Sequence, residues 1–123
     1  ENLTFIPHQP PDKIPGYLNA AHVLVLPNSK KDKRSYWTSP LKMFEYMASG
    51  KPIIASNLPS IREVLNENNA IFFKSDDPKD LAEKIKYVLN NPKIAETKAN
   101  QAKKDIREYS WHKRAETILE FIK

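Results

Sequence analysis

The sequence predicts a parallel α/β sheet with flanking helices, and three observations carry that expectation. Short β-rich runs alternate with helical patterns over the first two thirds of the chain. Two of those runs are almost wholly apolar, as strands covered on both faces are. After the last run the pattern is helical only. The order β-α-β-α-β-α-β, then helices, implies a parallel sheet of about four strands with right-handed crossovers.

The elements follow in order. "LTFIP" (residues 3–7), "HVLVLP" (22–27), "PIIAS" (52–56) and "AIFF" (70–73) are the expected strands, each bounded by turn residues. "PGYLNAA" allows only a short helix. "SPLKMFEYMAS" and "LPSIREVLNE" each read as two to three helical turns. Gly50 before Pro52 predicts a left-handed helix stop. In "DDPKDLAEKIKYVLNN", Asp77 caps a helix with Pro78 at its first position, and Leu81, Ile85, Val88 and Leu89 keep the helical period. Pro92 opens a polar helix with a thin apolar stripe. Ser110 is placed to cap a last helix that turns Trp111, Ala115, Ile118, Leu119 and Ile122 inward.

Residues 1–123 are expected to form one domain with a real core. Four strands are few for an open doubly wound sheet, so the chain reads as the later part of a larger domain whose first strands precede it. Its open sheet edge would then be liable to pair with another copy.

Composition narrows the function. The chain has 40% hydrophobic and 28% charged residues, as soluble globular proteins do, and no apolar run of membrane-spanning length. It has no cysteine, which excludes disulfides and thiolate metal sites. His8, His22 and His112 have no metal-ligand spacing, so neither metal nor cofactor is expected. The net charge of +5, with clusters "KKDKR" (30–34) and "KKDIR" (103–107), favours anionic partners. The loop "NSKKDKRSYWTS" is the long irregular connection, and such loops are often functional.

The stretch "SPLKMFEYMASGKPIIASNLPSIREVL" (39–65) carries the chemistry. Ser39-Pro40 is a helix start following a strand, so its free amides at Leu41, Lys42 and Met43 face the sheet edge where α/β ligands bind. Lys42 adds a positive charge. Met43, Phe44, Met47 and Ala48 form the apolar stripe, and Glu45 lies on the flank shared with Leu41 and Ser49. A carboxylate there is able to accept from the vicinal hydroxyls of a ribose beside a bound diphosphate. Spacing alone favours a solvated residue or an ion-pair partner for Lys42 or Lys51 over that role.

The same stretch resembles the nucleotide-sugar-binding signature of GT-B glycosyltransferases, in the large group 1 (family 4) type. "LTFIPHQPPDKIPGYLNAAHVLVLP", "FEYMASGKPIIAS", "IREVL" with Glu63, and "YSWHKRAETILEFIK" are similar to successive pieces of that family, in the right order over nearly the whole chain. The resemblance implies the second half of a Rossmann-like C-terminal GT-B domain, the one that holds the donor. It implies Glu45 as the ribose glutamate and Ser39, Pro40, Leu41 and Lys42 as the diphosphate-binding helix start. It also places Pro7 and His8 in the loop that contacts the base. It implies sugar transfer with retention and without metal from a UDP-, GDP- or ADP-linked donor. The acceptor would be a glycan or lipid-linked molecule, held through an N-terminal domain this chain lacks.

Two departures stand out. Trp37 occupies the position of the family's first glutamate, so the catalytic residue is not assigned, and Ser39-Pro40 replaces a Phe-Gly pair, with Lys42 as a compensating charge. The missing strands and acceptor domain imply that this piece alone does not catalyse transfer.

The remaining residues read structurally. His22 is expected to bond the turn beside a buried strand, Tyr17 and Trp111 to be core, and His112 to be surface. Trp37 either stacks on a ligand or pins its loop. The expected setting is a bacterial cytoplasm, with peripheral contact at the inner membrane face, in surface or secreted polysaccharide synthesis. The rival readings are a non-catalytic basic module for nucleic acid or anionic membrane, and a GT-B-like sugar-nucleotide epimerase. Nucleic acid is not an expected partner, because only Tyr36 and Trp37 interleave with the basic residues.

Overall fold

The fold is that of a computed structural model, which describes residues 2–123; Glu1, the first residue of the expected domain, lies outside them. Three strands, β1 (Leu24–Leu26), β2 (Ile53–Ser56) and β3 (Ile71–Phe73), form a parallel sheet in the order β1-β2-β3. Leu24 pairs with Ile53, and Ile54 with Ile71. The helices are α1 (Ile14–Ala20), α2 (Leu41–Ser49), α3 (Pro59–Arg62), α4 (Pro78–Asn90), α5 (Pro92–Asp105) and α6 (Trp111–Ile122).

All four residues of the central strand β2 are buried, and alternation sends them to two cores. Ile53 and Ala55 join Leu26, Met43, Met47, Ile61 and Leu65 beneath α2 and α3. Ile54 joins Phe73 and Val88 beneath α4 on the opposite face. Helix α5 reaches both through Ala95, in the second core, and Ala102, in the first. Its small side chains permit that close approach. Ser56, fully buried, satisfies its hydroxyl by donating to the Leu26 carbonyl at 3.1 Å.

The expected stops and starts are present. Gly50 closes α2 at φ 71°. The Asp77 carboxylate accepts from the Lys79 and Asp80 amides at the start of α4, both at 3.1 Å. The Ser110 hydroxyl accepts from the Lys113 amide at 3.2 Å.

Several expectations are corrected. Residues 3–7 form no strand: Leu3 and Phe5 are 91% and 88% exposed. An extended run becomes a strand only where a neighbour completes its ladder, and the free edge of β1 is not occupied by this segment. The sheet therefore has three strands rather than four among the described residues. Helix α3 is a single turn, because the chain leaves helical geometry into the turns around Asn66–Asn69. The stripe of α6 faces solvent. Trp111 is 83% exposed, and Ile118, Leu119 and Ile122 are exposed too, because α6 packs chiefly against the 3-10 turn Ile106–Tyr109 and borders α2 across an open cavity. Tyr17 is also exposed, since α1 buries none of its residues. His22 precedes β1 and is exposed, so it is not the buried strand residue expected. His112 is on the surface as read, 3.1 Å from Glu116.

Candidate functional site

The connection from β1 to α2 is built by local polar bonds. Asp32 caps the short 3-10 helix Lys33–Tyr36 by accepting from the Arg34 amide and pairs with the Arg34 side chain at 3.2 Å. Those bonds hold the Asp32 carboxyl below the usual carboxylate range. Ser35 is buried and its carbonyl accepts the Ser60 hydroxyl, which ties the loop to α3. Trp37, 89% exposed, does not pin it.

Helix α2 begins one residue later than the sequence suggested. Proline fixes φ but not ψ, and Pro40 adopts ψ 127°, which makes it the cap rather than the first helical residue. No side chain caps the helix, so Ser39 does not play that part. The Met43 amide is taken by the Pro40 carbonyl at 3.0 Å. The open donors are therefore Leu41 and Lys42, whose amides find no acceptor among the described residues. Two outward amides at a helix start still offer partial positive charge to an anion.

Glu45 is exposed, one turn beyond those amides. No cation pairs with it among the described residues, which removes the ion-pair reading with Lys42 or Lys51. It lines a cavity of about 440 Å³ between α1 and α2, with Ile14, Leu18, Asn19, Ser49 and Lys103. Next to it, burial and then the charge of Glu45 raise the Tyr46 phenol above its ordinary value. Arranged this way, the carboxylate offers two acceptor oxygens to a hydroxylated ligand over an apolar floor.

The other expected residues are only partly gathered. Ser39 and Leu41 line a second cavity of about 650 Å³ on the other side of α2, where Lys113 and Arg114 of α6 add positive charge. Lys42 is exposed and lines neither cavity. Pro7 and His8 are exposed and line neither, although Pro11, just downstream, borders the Glu45 cavity. The Pro7 carbonyl accepts from the Gln9 side chain at 3.1 Å. Ile14, Leu18, Asn19 and Lys103 went unread in the sequence, because only tertiary packing brings α1 and α5 beside α2. Among the described residues no group of three or more metal-ligating side chains occurs, and no helix is long and apolar enough to cross a membrane.

Comparison with known proteins bears on the family and the fold. The family described as glycosyl transferases group 1 matches residues 1–105, which ends where α5 ends. Spore coat protein SA of Bacillus subtilis (strain 168) is 30% identical over 97% of this chain and 31% of its own length. The chain thus spans under a third of that relative. Among solved structures, sucrose-phosphate synthase from Thermosynechococcus elongatus is 26% identical with a TM-score of 0.72, covering 86% of this chain and 26% of that one. Anabaena HepE, solved in complex with UDP, shares the fold at a TM-score of 0.72 and 17% identity, covering 89% of this chain and 29% of that one. Matched over most of its length by the family and by GT-B folds, the chain belongs to the group 1 glycosyltransferases.

Proposed function

We propose that this chain is the donor-binding part of a retaining glycosyltransferase that moves a sugar from a nucleotide-sugar to a glycan or lipid-linked acceptor. The observation that carries the reading is Glu45: an exposed, unpaired carboxylate in a cavity, one helical turn from two open amides. The carboxylate holds the ribose diol, while the Leu41 and Lys42 amides and the Lys42 ammonium face the diphosphate. As the bond from the anomeric carbon to the diphosphate oxygen breaks, negative charge grows on the leaving nucleoside diphosphate. Fixed donors stabilise that charge without a metal. Ser39 and Pro40 set the height of the helix start, and Pro7 and His8 border the base. Trp37 stands at the position of the family's first glutamate, which leaves the catalytic group unassigned. The reacting end of the acceptor is held by a part of the protein beyond this domain, in a cytoplasmic setting, and residues 1–123 alone do not turn over.

Calorimetric titration with UDP, GDP and ADP tests the reading. One nucleotide is expected to bind saturably. Glu45→Ala removes two hydrogen bonds to a charged acceptor, which costs roughly 1.5–3 kcal/mol, or about 10- to 150-fold in affinity. The fold should persist because Glu45 is outside both cores. Unchanged affinity in a folded Glu45→Ala protein, or no binding of any of the three, overturns the assignment.

A further inference from the structure

We propose that a basic groove along the ends of β2 and β3, separate from the Glu45 cavity, holds an anionic glycan, a sugar chain bearing carboxylate or phosphate groups. The inference rests on the glycosyltransferase reading only in taking that chain as the acceptor.

Two adjoining cavities make the groove, of about 680 and 570 Å³, and they share Lys30, Lys74 and Ser75. Six cations line them together: Lys30, Lys31, Arg62, Lys74, Lys79 and Lys84. The three carboxylates present are engaged with the protein itself. Asp76 accepts from the Lys30 amide at 3.1 Å, and Asp77 caps α4. Asp80 accepts from the Lys74 amide at 2.7 Å and lies 3.7 Å from the Lys84 ammonium. Among the described residues no carboxylate ion-pairs with Lys30, Lys31, Lys74 or Lys79.

The placement is built rather than incidental. Buried Ser75 accepts from the Lys30 amide at 3.0 Å and donates to the Asn28 carbonyl at 3.0 Å, which locks the loop after β1 beside the turn after β3. Asp76 holds φ 63°, an unfavourable region for a residue with a side chain, while its carboxylate meets the Lys30 amide. The result brings the backbone at Lys30 against the turn at Lys74 and Ser75, so that both lysines line the same two cavities.

The shape selects the ligand. The two hollows are shallow and open and adjoin end to end, so the cations lie along an elongated track that suits a chain. Arg62 covers the Phe72 ring at 3.6 Å and is itself fixed by Asn57 and Glu67, and Phe73 is buried, so Tyr36 is left as the one exposed aromatic among the residues that line the groove. This argues against single-stranded nucleic acid, which needs open aromatic platforms. A charged sugar needs cations and a partly apolar wall, and both are present.

The test is fluorescence anisotropy on the full-length enzyme with labelled trigalacturonate, with neutral maltotriose, inorganic pyrophosphate and a single-stranded oligonucleotide as competitors. Trigalacturonate is expected to bind, and Lys30→Glu with Lys74→Glu to weaken it at least about tenfold, the scale of one lost charge-assisted contact. Both side chains are exposed, so folding should survive. Should that double variant misfold, Lys79→Glu alone is expected to weaken binding in the same direction. Displacement by pyrophosphate extends the ligand class to phosphate-bearing glycans, and its absence limits the class to carboxylates. Equal displacement by maltotriose, tighter binding of the oligonucleotide, or trigalacturonate affinity unchanged in the folded variants overturns the inference. UDP titrated in parallel separates the two sites: its affinity should be unchanged in the lysine variants, and its failure to bind at all would count against the donor reading only.

Discussion

Replacing Ser75 by alanine isolates the lock between two loops. Its hydroxyl is buried and bonds two groups from the connection after β1, the Lys30 amide and the Asn28 carbonyl, each at 3.0 Å. The two losses are unequal. The Lys30 amide keeps the Asp76 carboxylate at 3.1 Å, so it stays satisfied. The half-buried Asn28 carbonyl is left without that donor. One lost neutral hydrogen bond is worth about 0.5–1.5 kcal/mol, and an unsatisfied buried acceptor about 1–3 kcal/mol. Partial access of water to Asn28 places the sum for Ser75→Ala at about 1–2 kcal/mol. Urea unfolding followed by circular dichroism is the assay, with the midpoint lowered and the slope unchanged. Ser75→Thr, which keeps the hydroxyl, should lose less. A loss below about 0.3 kcal/mol for Ser75→Ala, smaller than a single hydrogen bond, would refute the reasoning.

Three other outcomes follow from the same kind of argument. Asp77→Ala removes the acceptor for two α4 amides and should cost about 0.5–2 kcal/mol in urea unfolding. Gly50→Ala forces a side chain into φ 71°, and since its Cβ would meet only the Lys103 side chain at ordinary contact distance, the loss of about 1 kcal/mol should be conformational and largely spared by Gly50→Asn. Asp76 is held below the ordinary aspartate range, chiefly by the Ser29 hydroxyl and then by the Lys30 amide. The unfolded state therefore takes up its proton first on acidification, so the stability Asp76 provides is present above about pH 4 and lost as pH falls through its folded value. Asp76→Asn should flatten that acid-side dependence when unfolding midpoints are compared from pH 6 to pH 2.

What the sequence made legible were features whose cause is local. Asp77-Pro78, Ser110 and Gly50 act on amides or φ values within a few residues, and each does what its spacing implied. The buried strands β1 and β2 announce themselves by apolar runs. Residues 3–7 and α6 fail for a shared reason: apolar periodicity states that a face wants burial, not that a partner is within reach. At the site, Glu45 and the helix start were legible because they are one turn apart. The cavity wall from α1 and α5 was not, since packing of distant segments creates it. The Pro40 cap was missed because ψ before a helix is not fixed by residue type. The basic groove had only a partial signal: the lysine run at 30–34 was visible, but its placement beside Lys74 depends on Ser75 and on Asp76 in a conformation that aspartate only occasionally adopts.

The strand order β1-β2-β3 bears on how the domain comes into being. Each ladder joins strands that are neighbours along the chain, so each closes a single crossover and none awaits a strand made later. Loop-closure entropy makes distant pairings slow, whereas consecutive ones can form as the polypeptide leaves the ribosome. In chain order, β1 is free to meet β2 once Ser56 has emerged, β3 is then able to add to an existing edge, and α4 and α5, made last, are left to close the second face. Assembly in that direction leaves at most one growing edge exposed on the β3 side at a time, which shortens the interval in which a half-made sheet could pair with another chain.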